Sequence, residues 1–257
     1  MEKLTIIKIG GNIIDNQTLT KEFLQDFAAL TGKKILVHGG GKLATKLATS
    51  LQIPTEMVNG RRITSPEMLD IAVMVYAGLI NKQIVAQLQA FQCNALGVSG
   101  ADANLLVATQ RAVGAVNYGL VGDITQVNAQ GYIDLIQKNI VPVCCAITHN
   151  GAGQLLNTNA DSIASAVAIA LSPFFETTLV YCFEKKGVLQ NIDDENSYIP
   201  LINKALYEEY VHQKIITDGM LPKLDNAFGA INKGVKRVVI GSPKVLQNWE
   251  GTIIQVI

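Results

Sequence analysis

Apolar residues along the chain follow two alternating patterns. Short continuous runs rich in Val, Ile and Leu are separated by longer stretches in which apolar residues recur at helical spacing. Strands buried on both faces are apolar throughout, whereas covering helices are apolar on one face, so the alternation predicts a parallel sheet between helical layers. The predicted strands span residues 4–9, 34–38, 95–98, 140–145, 178–183, 236–240 and 252–256. We therefore expect an α/β fold, a three-layer αβα sandwich with a mostly parallel central sheet.

A long helix is predicted from Pro66 to about Gln92. Ser65 is suited to cap it, Pro66 to take its first position, and Glu67 to lie in the first turn, where the helix dipole favours an acid. One face carries residues at helical spacing, namely Met68, Ile71, Ala72, Val75, Leu79 and Lys82. Such a stripe packs equally well on the protein's own sheet or on a second subunit, and the pattern leaves both alternatives open.

The chain shows two further changes of pattern. Between residues 108 and 126, short segments separated by Gly114, Gly119 and Gly122 predict a hairpin outside the main sheet. A break in composition at residues 171–173, Leu-Ser-Pro, follows an alanine-rich helix and predicts a lobe boundary. The expected lobes are residues 1–172 and 173–257.

The composition is that of a protein with a large buried core. Its 257 residues are 49% hydrophobic and 16% charged, which excludes a disordered chain. The 21 basic and 21 acidic residues balance and form no block of like charge, so we expect neither nucleic acid nor an anionic membrane as a partner. The charge pattern therefore favours a small-molecule partner.

The cysteines, histidines and apolar runs indicate a cytoplasmic protein. Its 4 cysteines lack Cys-x-x-Cys spacing and its 3 histidines lie far apart, so neither disulfides nor a metal site is predicted. The longest apolar run, Ile71 to Ile80, is too short to span a bilayer, and Lys8 interrupts the apolar N-terminus. We expect the cysteines to be reduced and buried.

Two predicted strands end in glycine turns, each followed by a helix. The strand that carries Lys8 runs into Gly10 and Gly11, and the next strand runs through His38 into residues 39–41, which are all glycine. Glycine leaves the backbone N–H groups exposed, and the following helix adds the positive end of its dipole. Both turns are therefore candidate anion sites, and the nearby Lys8 indicates a phosphate group.

The second turn admits another interpretation. Residues 39–44 fit the loose dinucleotide-binding pattern G-x-G-x-x-A, but the acid expected about twenty residues later is not evident, because Glu56 follows Pro54 in a loop-like stretch. The sequence also lacks the G-x-x-x-x-G-K-[ST] loop and the loops of protein kinases. Two lysines reaching a phosphoryl group from opposite lobes would serve instead, since its transfer depends mainly on positioning and neutralisation of charge.

Lys223 is the candidate second lysine. It stands near the start of a helix predicted to continue from Asn226 to Lys233, where a cation opposes the helix dipole, so an anionic ligand explains it better than helix stability does. A solvated surface lysine fits the spacing equally well. Asp161, at the start of a predicted helix, is an ordinary cap unless both lysines converge on it, in which case it keeps them charged and oriented.

An arginine pair precedes the long helix. Arg61 and Arg62 follow Gly60, and a guanidinium group there is suited to bind a carboxylate with two hydrogen bonds. Arg62 is the candidate substrate clamp, although one of the two is expected to be a surface charge and the spacing does not choose between them.

Five stretches of the chain resemble motifs of the amino-acid kinase superfamily, and within it of the N-acetylglutamate kinase family, in their order and approximate spacing. They are Ile7–Gly11, Val37–Gly41, Asn59–Thr64, Asn157–Asp161 and Ile216–Lys223. The resemblance covers nearly the whole chain. It implies the amino-acid kinase fold and ATP-dependent phosphorylation of the side-chain carboxylate of an N-acylated glutamate in arginine biosynthesis, with Mg²⁺ bound to the nucleotide.

The resemblance also implies catalytic roles. Lys8 and Lys223 would stabilise the transition state, Asp161 would orient them, and Gly10 and Gly11 would bind the transferring phosphoryl group. No general base is implied, because the carboxylate nucleophile is already ionised near neutral pH.

The two binding sites follow from the same resemblance. The N-terminal lobe would bind the acylglutamate, and the C-terminal lobe would bind ATP. The substrate residues implied are Gly40, Gly41, Arg62 and Asn157, the last two through the α-carboxylate. The nucleotide residues implied are Glu184, Gly187, Asp218 and Gly219.

The chain departs from the family pattern at two places. Glu184 stands where the family usually has aspartate, and two lysines follow it, which adds positive charge near the expected polyphosphate. Arg61 and Arg62 stand where many relatives have one arginine, so N-succinylglutamate, with its acidic acyl group, is an alternative substrate.

Two further expectations concern assembly and function class. The chain begins just before its first predicted strand, whereas arginine-inhibited relatives carry an additional N-terminal helix, so a homodimer insensitive to arginine is expected. The alternative from another functional class is a non-catalytic amino-acid sensor with the same fold. The joint presence of Lys8, Asp161 and Lys223 favours the kinase.

Overall fold

The computed structural model of the chain describes residues 1–58, 61–191, 193–216 and 220–255. Its strands are β1 (Lys3–Ile9), β2 (Lys33–His38), β3 (Met57–Val58), β4 (Arg61–Arg62), β5 (Ala95–Val98), β6 (Leu106–Gln110), β7 (Gly122–Val127), β8 (Val141–Cys145), β9 (Ile147–His149), β10 (Leu155–Asn157), β11 (Glu176–Cys182), β12 (Leu201–Ile202), β13 (Arg237–Gly241) and β14 (Thr252–Ile254). Its helices are α1 (Gly11–Ile14), α2 (Gln17–Ala29), α3 (Gly41–Ser50), α4 (Pro66–Ala72), α5 (Asn81–Ala90), α6 (Ala129–Gln137), α7 (Ala160–Leu171), α8 (Lys204–His212), α9 (Leu221–Asn232) and α10 (Val245–Asn248).

The central sheet contains 8 strands in the order β12-β14-β13-β11-β1-β2-β8-β5. Neighbouring strands are parallel except β13 and β14, which are antiparallel. Helices cover both faces, so the predicted fold class is confirmed. The predicted strands all lie in this sheet. The sequence did not reveal β12, because two residues are too few to show a periodic pattern.

A second, smaller sheet stands beside the first. Its order is β10-β9-β6-β7, and β6 pairs with β7 in antiparallel fashion, which confirms the predicted hairpin. Single bridges join Val121 to Asn157 and Thr64 to Gly119. These bridges tie the hairpin to the segment after Arg62 and to the strand before α7.

The predicted long helix is confirmed from Pro66 to Ala90, as α4, a π-helical segment Val73–Ile80 and α5. The Met68 amide donates to Oγ of Ser65 at 3.2 Å, as expected of the cap. Leu79 was predicted on the apolar stripe but is 45% exposed. The spacing of apolar residues was predicted for an α-helix, in which hydrogen bonds join residues i and i+4. In a π-helical segment they join residues i and i+5, so the side chains face other directions.

The long helix also raises the question of a membrane. By length and composition Pro66–Ala90 is apolar enough to cross one, but 50% of the apolar window is buried within the protein. A core helix of a soluble protein has the same properties. The free cysteines, Cys93, Cys144, Cys145 and Cys182, are buried as expected.

Each of the two proposed lobes contributes half of the strands of the central sheet. Strands β1, β2, β5 and β8 precede residue 173, and β11 to β14 follow it. The two sets meet where β1 pairs with β11 along its whole length. The division into residues 1–172 and 173–257 stays a prediction.

Candidate active site

Both glycine turns lie at one edge of the central sheet. Ile9 at the end of β1 is level with His38 of β2 and with Cys182 of β11, so the three strands end together. The Gly10 amide donates to the Cys182 carbonyl at 2.9 Å, which holds the first turn against β11. A Cβ added at Gly11 would meet no atom within 4 Å, so the turn faces open space there. This is the edge at which parallel α/β sheets bind their ligands.

An ion pair joins Lys8 to Asp161 at this edge, with 2.8 Å between Nζ and Oδ1. Asp161 lies in the first turn of α7, where the Asn159 side chain accepts from the amides of Asp161 and Ser162 at 2.8 and 3.1 Å. Burial alone would raise the pKa of Asp161, but the charges of Lys8 and Lys223 outweigh it and lower the pKa. The aspartate is therefore ionised at neutral pH and neutralises part of the lysine charge.

Lys223 approaches the same carboxylate from the other side of the sheet edge. It lies in the first turn of α9, and its Nζ is 5.1 Å from the centroid of the Phe183 ring. Burial lowers the pKa of Lys223; Asp161 opposes this shift, Lys8 adds to it, and Glu184 opposes it. The structure thus brings together the two lysines and the aspartate named from the sequence.

One detail differs from the expected triad. Within the described residues, the ion pair of Asp161 closer than 4.0 Å is with Lys8 alone. Lys223 acts on the aspartate through its charge, because its ammonium group is held over the Phe183 ring.

The second glycine turn forms one wall of a pocket of about 190 Å³. Gly40, Gly41, Arg62 and Asn157 all line it, as the resemblance implied. Arg62 is 7% exposed, and its Nη2 donates to the Gly41 carbonyl at 2.9 Å and to Oγ1 of Thr45 at 2.7 Å. Its Nη1 is buried without a hydrogen-bond partner. A buried guanidinium with one free nitrogen is suited to an anionic ligand.

The hairpin helps to hold Asn157 in the lining of the pocket. Its backbone N–H donates to the Leu120 carbonyl at 3.0 Å, and its side-chain Nδ2 donates to Oγ1 of Thr64 at 3.0 Å. Arg61 also lines the pocket but is less buried than Arg62. The structure therefore distinguishes the two arginines that the spacing left equivalent.

The hairpin supplies a pair of pocket residues that the sequence analysis did not identify. Arg111 and Asp123 line the pocket and form an ion pair with each other. No motif marks them, since they approach only when β6 and β7 pair. A charged pair at both ends of the predicted hairpin was the only signal available in the sequence.

A larger pocket of about 590 Å³ lies beside β11 on the side of Lys223. Gly187 lines it together with Lys185, Lys214 and Met220, whereas Glu184 is placed near Lys223. A Cβ at Gly187 would lie 2.5 Å from Oγ1 of Thr252, so packing alone explains that glycine. Five residues of the sequence motifs lie outside the described residues, namely Asn59, Gly60, Thr217, Asp218 and Gly219.

Two pockets of different size lie at the end of the sheet that carries the glycine turns. The small pocket contains arginines and the second glycine turn in its lining and reaches the residues on either side of Asp161. The larger pocket is lined by lysines and by Phe183, the residue over which Lys223 lies. The described ranges contain no cluster of three or more His, Cys, Asp or Glu side chains that could hold a metal ion. Such an arrangement can transfer a phosphoryl group between ligands bound in the two pockets.

A sequence model of the amino acid kinase family matches residues 3–242. The chain belongs to the amino acid kinase family. The predicted family and the kinase class are thereby confirmed.

Relatives of this amino acid kinase match over its full length. The acetylglutamate kinase of Bacteroides thetaiotaomicron is 53% identical over 254 residues, 99% of each chain. That of Phocaeicola vulgatus is 51% identical over 254 residues, again 99% of each chain. A crystal structure of a Streptococcus mutans protein superposes with a TM-score of 0.80 at 27% identity, covering 98% of both chains.

Proposed function

We propose that this amino acid kinase transfers the γ-phosphoryl group of ATP to the γ-carboxylate of N-acetyl-L-glutamate, a step of arginine biosynthesis. The observation that carries the proposal is the placement of the small pocket lined by Arg62 and Asn157 directly beside the Lys8–Asp161 pair. Full-length relatives named acetylglutamate kinase support the choice of substrate. The polar side chains in the lining of this pocket are the kind of groups that orient a small ligand.

Arg62 and Asn157 bind the α-carboxylate of the acylglutamate in this proposal. The free Nη1 of Arg62 donates to one carboxylate oxygen, while Nη2 keeps its bonds to Gly41 and Thr45. A hydrogen bond from this buried nitrogen to the substrate removes the free-energy cost of a buried donor that has no partner. The side chain of the substrate then extends along the glycine turn toward Lys8.

Phosphoryl transfer requires little more than alignment and neutralisation of charge. The amides of Gly11, Gly40 and Gly41 donate to the phosphoryl and acyl oxygens, and Gly10 closes the first turn. Lys8 and Lys223 neutralise the equatorial oxygens that gain charge in the transition state. The charge of Asp161 offsets the repulsion between Lys8 and Lys223 and favours the charged form of Lys223. The γ-carboxylate attacks phosphorus directly, the bond to the β–γ bridging oxygen breaks, and ADP leaves.

ATP binds in the larger pocket, which Gly187 lines. Glu184, Asp218 and Gly219 are the other nucleotide-binding residues that the family resemblance implies. Lys185 and Lys214 line this pocket and bring positive charge toward the phosphate chain. Mg²⁺ would be bound with the nucleotide and would neutralise part of the charge of the phosphate chain, and we assign it no protein ligands.

The protein assembles as a cytoplasmic homodimer in this proposal. Met74 and Leu79 on the long helix are 54% and 45% exposed, and Leu96 of the edge strand β5 is 43% exposed. Met74 and Leu79 lie on the π-helical segment that leads into α5, and α5 packs on the edge strand β5. Pairing with a second copy would cover both.

N-succinyl-L-glutamate is a second candidate substrate. Arg61 and Arg111 line the small pocket in addition to Arg62, although Arg111 is already paired with Asp123. A second cation in the pocket lining, such as Arg61, suits a second carboxylate on the acyl group. Loss of activity on both compounds to an equal extent in Arg61→Ala would argue against this role.

The function is tested by trapping the product. Purified protein is incubated with Mg-ATP and either acylglutamate, and hydroxylamine converts the acyl phosphate to a coloured hydroxamate. We expect product from N-acetyl-L-glutamate and none from Lys8→Ala. Absence of product from both compounds with the wild-type protein would refute the kinase assignment and favour a sensor.

A further inference from the structure

His38 ends β2 immediately before the glycine turn, and its side chain is fully buried. Its Nδ1 lies 2.9 Å from the Gly39 carbonyl oxygen, and its Nε2 lies 3.0 Å from Nδ2 of Asn81. A carbonyl oxygen only accepts, so Nδ1 carries the proton, and Nε2 of the neutral ring accepts from the Asn81 amide. Burial lowers the pKa of His38 to about 4, which keeps the ring neutral at physiological pH.

Asn81 fixes this arrangement from the long helix. It is 1% exposed, and its Nδ2 also donates to the Val143 carbonyl at 2.9 Å. Its Oδ1 accepts from Nζ of Lys82 at 3.1 Å. Rotating the amide by half a turn would set its oxygen against the Val143 carbonyl, so the surroundings determine its orientation. A Cβ at Gly97 would overlap Oδ1, and the glycine there leaves room for it.

The hydrogen bond from His38 reaches the substrate pocket through one peptide group. The Gly39 carbonyl and the Gly40 amide belong to the same peptide, and no cis peptide occurs in the described residues. In a trans peptide these two groups point in opposite directions. Holding the carbonyl against the buried imidazole therefore turns the Gly40 N–H away from His38. Residues 39–41 line the pocket, whereas His38, as far as the structure describes the lining, does not.

The long helix also packs against the second glycine turn, through residues close to Asn81. A Cβ at Gly40 would overlap Cδ1 of Ile80 and lie 3.0 Å from Cδ1 of Tyr76, so the turn packs directly on the π-helical segment. That segment ends at Ile80, one residue before Asn81. Short π-helical segments are rare and are often found at functional sites, because they change which side chains face a neighbour.

We propose that Asn81 and His38 are positioning residues for phosphoryl transfer, Asn81 holding the imidazole and the imidazole holding the Gly39–Gly40 peptide so that the Gly40 amide faces the reacting carboxylate. The inference rests on the proposed binding of the acylglutamate by Gly40 and Gly41. Neither side chain touches the substrate, so both act through the orientation of the peptide.

Paired substitutions separate this role from a structural one. In His38→Asn the amide nitrogen stands where Nδ1 stood and still donates to Gly39, whereas in His38→Gln it reaches only the place of Nε2. Asn81→Ala removes the partner of the imidazole. Lys34→Met is the matched control, because Lys34 is a buried polar residue at the opposite end of the same strand, bonded to the carbonyls of Phe27, Ala28 and Leu30.

We expect His38→Gln and Asn81→Ala to lower kcat by about 10- to 100-fold. The KM for Mg-ATP should stay within about twofold, because the nucleotide pocket is untouched. His38→Asn should retain most of the activity, and the double variant His38→Gln/Asn81→Ala should be no slower than either single variant. Lys34→Met should lower the melting temperature without lowering kcat. Losses of kcat that follow the melting temperature in all variants, the control included, would overturn the inference.

A measurement on the wild-type protein tests the same hydrogen bonds independently of how the variants fold. ¹⁵N NMR of the imidazole nitrogens, assigned with His38→Asn, should show His38 as the neutral tautomer protonated at Nδ1. Protonation at Nε2 instead would overturn the inference. A wild-type protein without kinase activity would refute the proposed function as well, whereas an active enzyme with unaffected variants would refute the positioning role alone.

Discussion

Nζ of Lys8 lies 2.8 Å from Oδ1 of Asp161, although the two residues are on different elements, the strand β1 and the helix α7. The pairing places a cation at the sheet edge where the glycine turns expose their amides. It also explains how a carboxylate is compatible with the anion site that we propose. Without Asp161, the charges of Lys8 and Lys223 would repel each other, and the charged form of Lys223 would be less stable.

Replacing Asp161 by asparagine should change how activity depends on pH. The carboxylate raises the pKa of Lys223 against the effect of burial, so its removal lowers that pKa further. The lysine then loses its proton at lower pH, and the alkaline limb of the kcat profile moves to lower pH. At neutral pH kcat should fall by about 10- to 100-fold. Glu208→Gln, which breaks an exposed pair with Lys204, is the control and should leave the profile unchanged.

Arg62→Lys should raise the KM for N-acetyl-L-glutamate by about 10- to 100-fold, because an ammonium group cannot hold Gly41 and Thr45 and still bind the substrate carboxylate. Arg61→Lys, at the less buried position, should change this KM by less than about threefold. Steady-state kinetics at saturating Mg-ATP measures both. Equal effects of the two substitutions would contradict the assignment of Arg62 as the clamp.

Two glycines of the site should respond differently to alanine. A Cβ at Gly40 would overlap Ile80, so Gly40→Ala should lower the free energy of unfolding by about 1–3 kcal/mol as well as activity. A Cβ at Gly11 would meet nothing within 4 Å, so Gly11→Ala should keep its stability and lose activity because the methyl group occupies space for the phosphoryl group. Urea unfolding and the hydroxamate assay together distinguish the two cases. Full activity in Gly11→Ala would count against phosphoryl binding at the first turn.

The dimer is tested at the exposed face of the long helix. Leu79→Glu places a charge in the proposed interface, and we expect it to convert the dimer to a monomer in analytical ultracentrifugation. Val113→Glu is the control, since Val113 is 70% exposed in the hairpin region, away from that face. A wild-type monomer, or a dimer that survives Leu79→Glu, would refute the interface.

The sequence by itself determined the fold class, the strands of the central sheet other than β12, and the long helix. These follow from local physics, because continuous apolar runs, helical spacing and the Ser65 cap need no knowledge of the rest of the chain. The sequence also named the glycine turns, both lysines and Asp161, since glycine next to strand ends and charge at helix starts are local signals. The π-helical segment and its effect on Leu79 left no such signal.

Only the tertiary structure decided which residues meet. Arg62 was separated from Arg61 by burial, Arg111 was brought to Asp123 by the pairing of two strands, and His38 met Asn81 across 43 residues of chain. Such contacts depend on the register of strands and on the rotation of helices, and neither quantity is written in any single stretch of sequence. The physical reason is that burial and hydrogen bonding between distant residues arise only when the layers pack together.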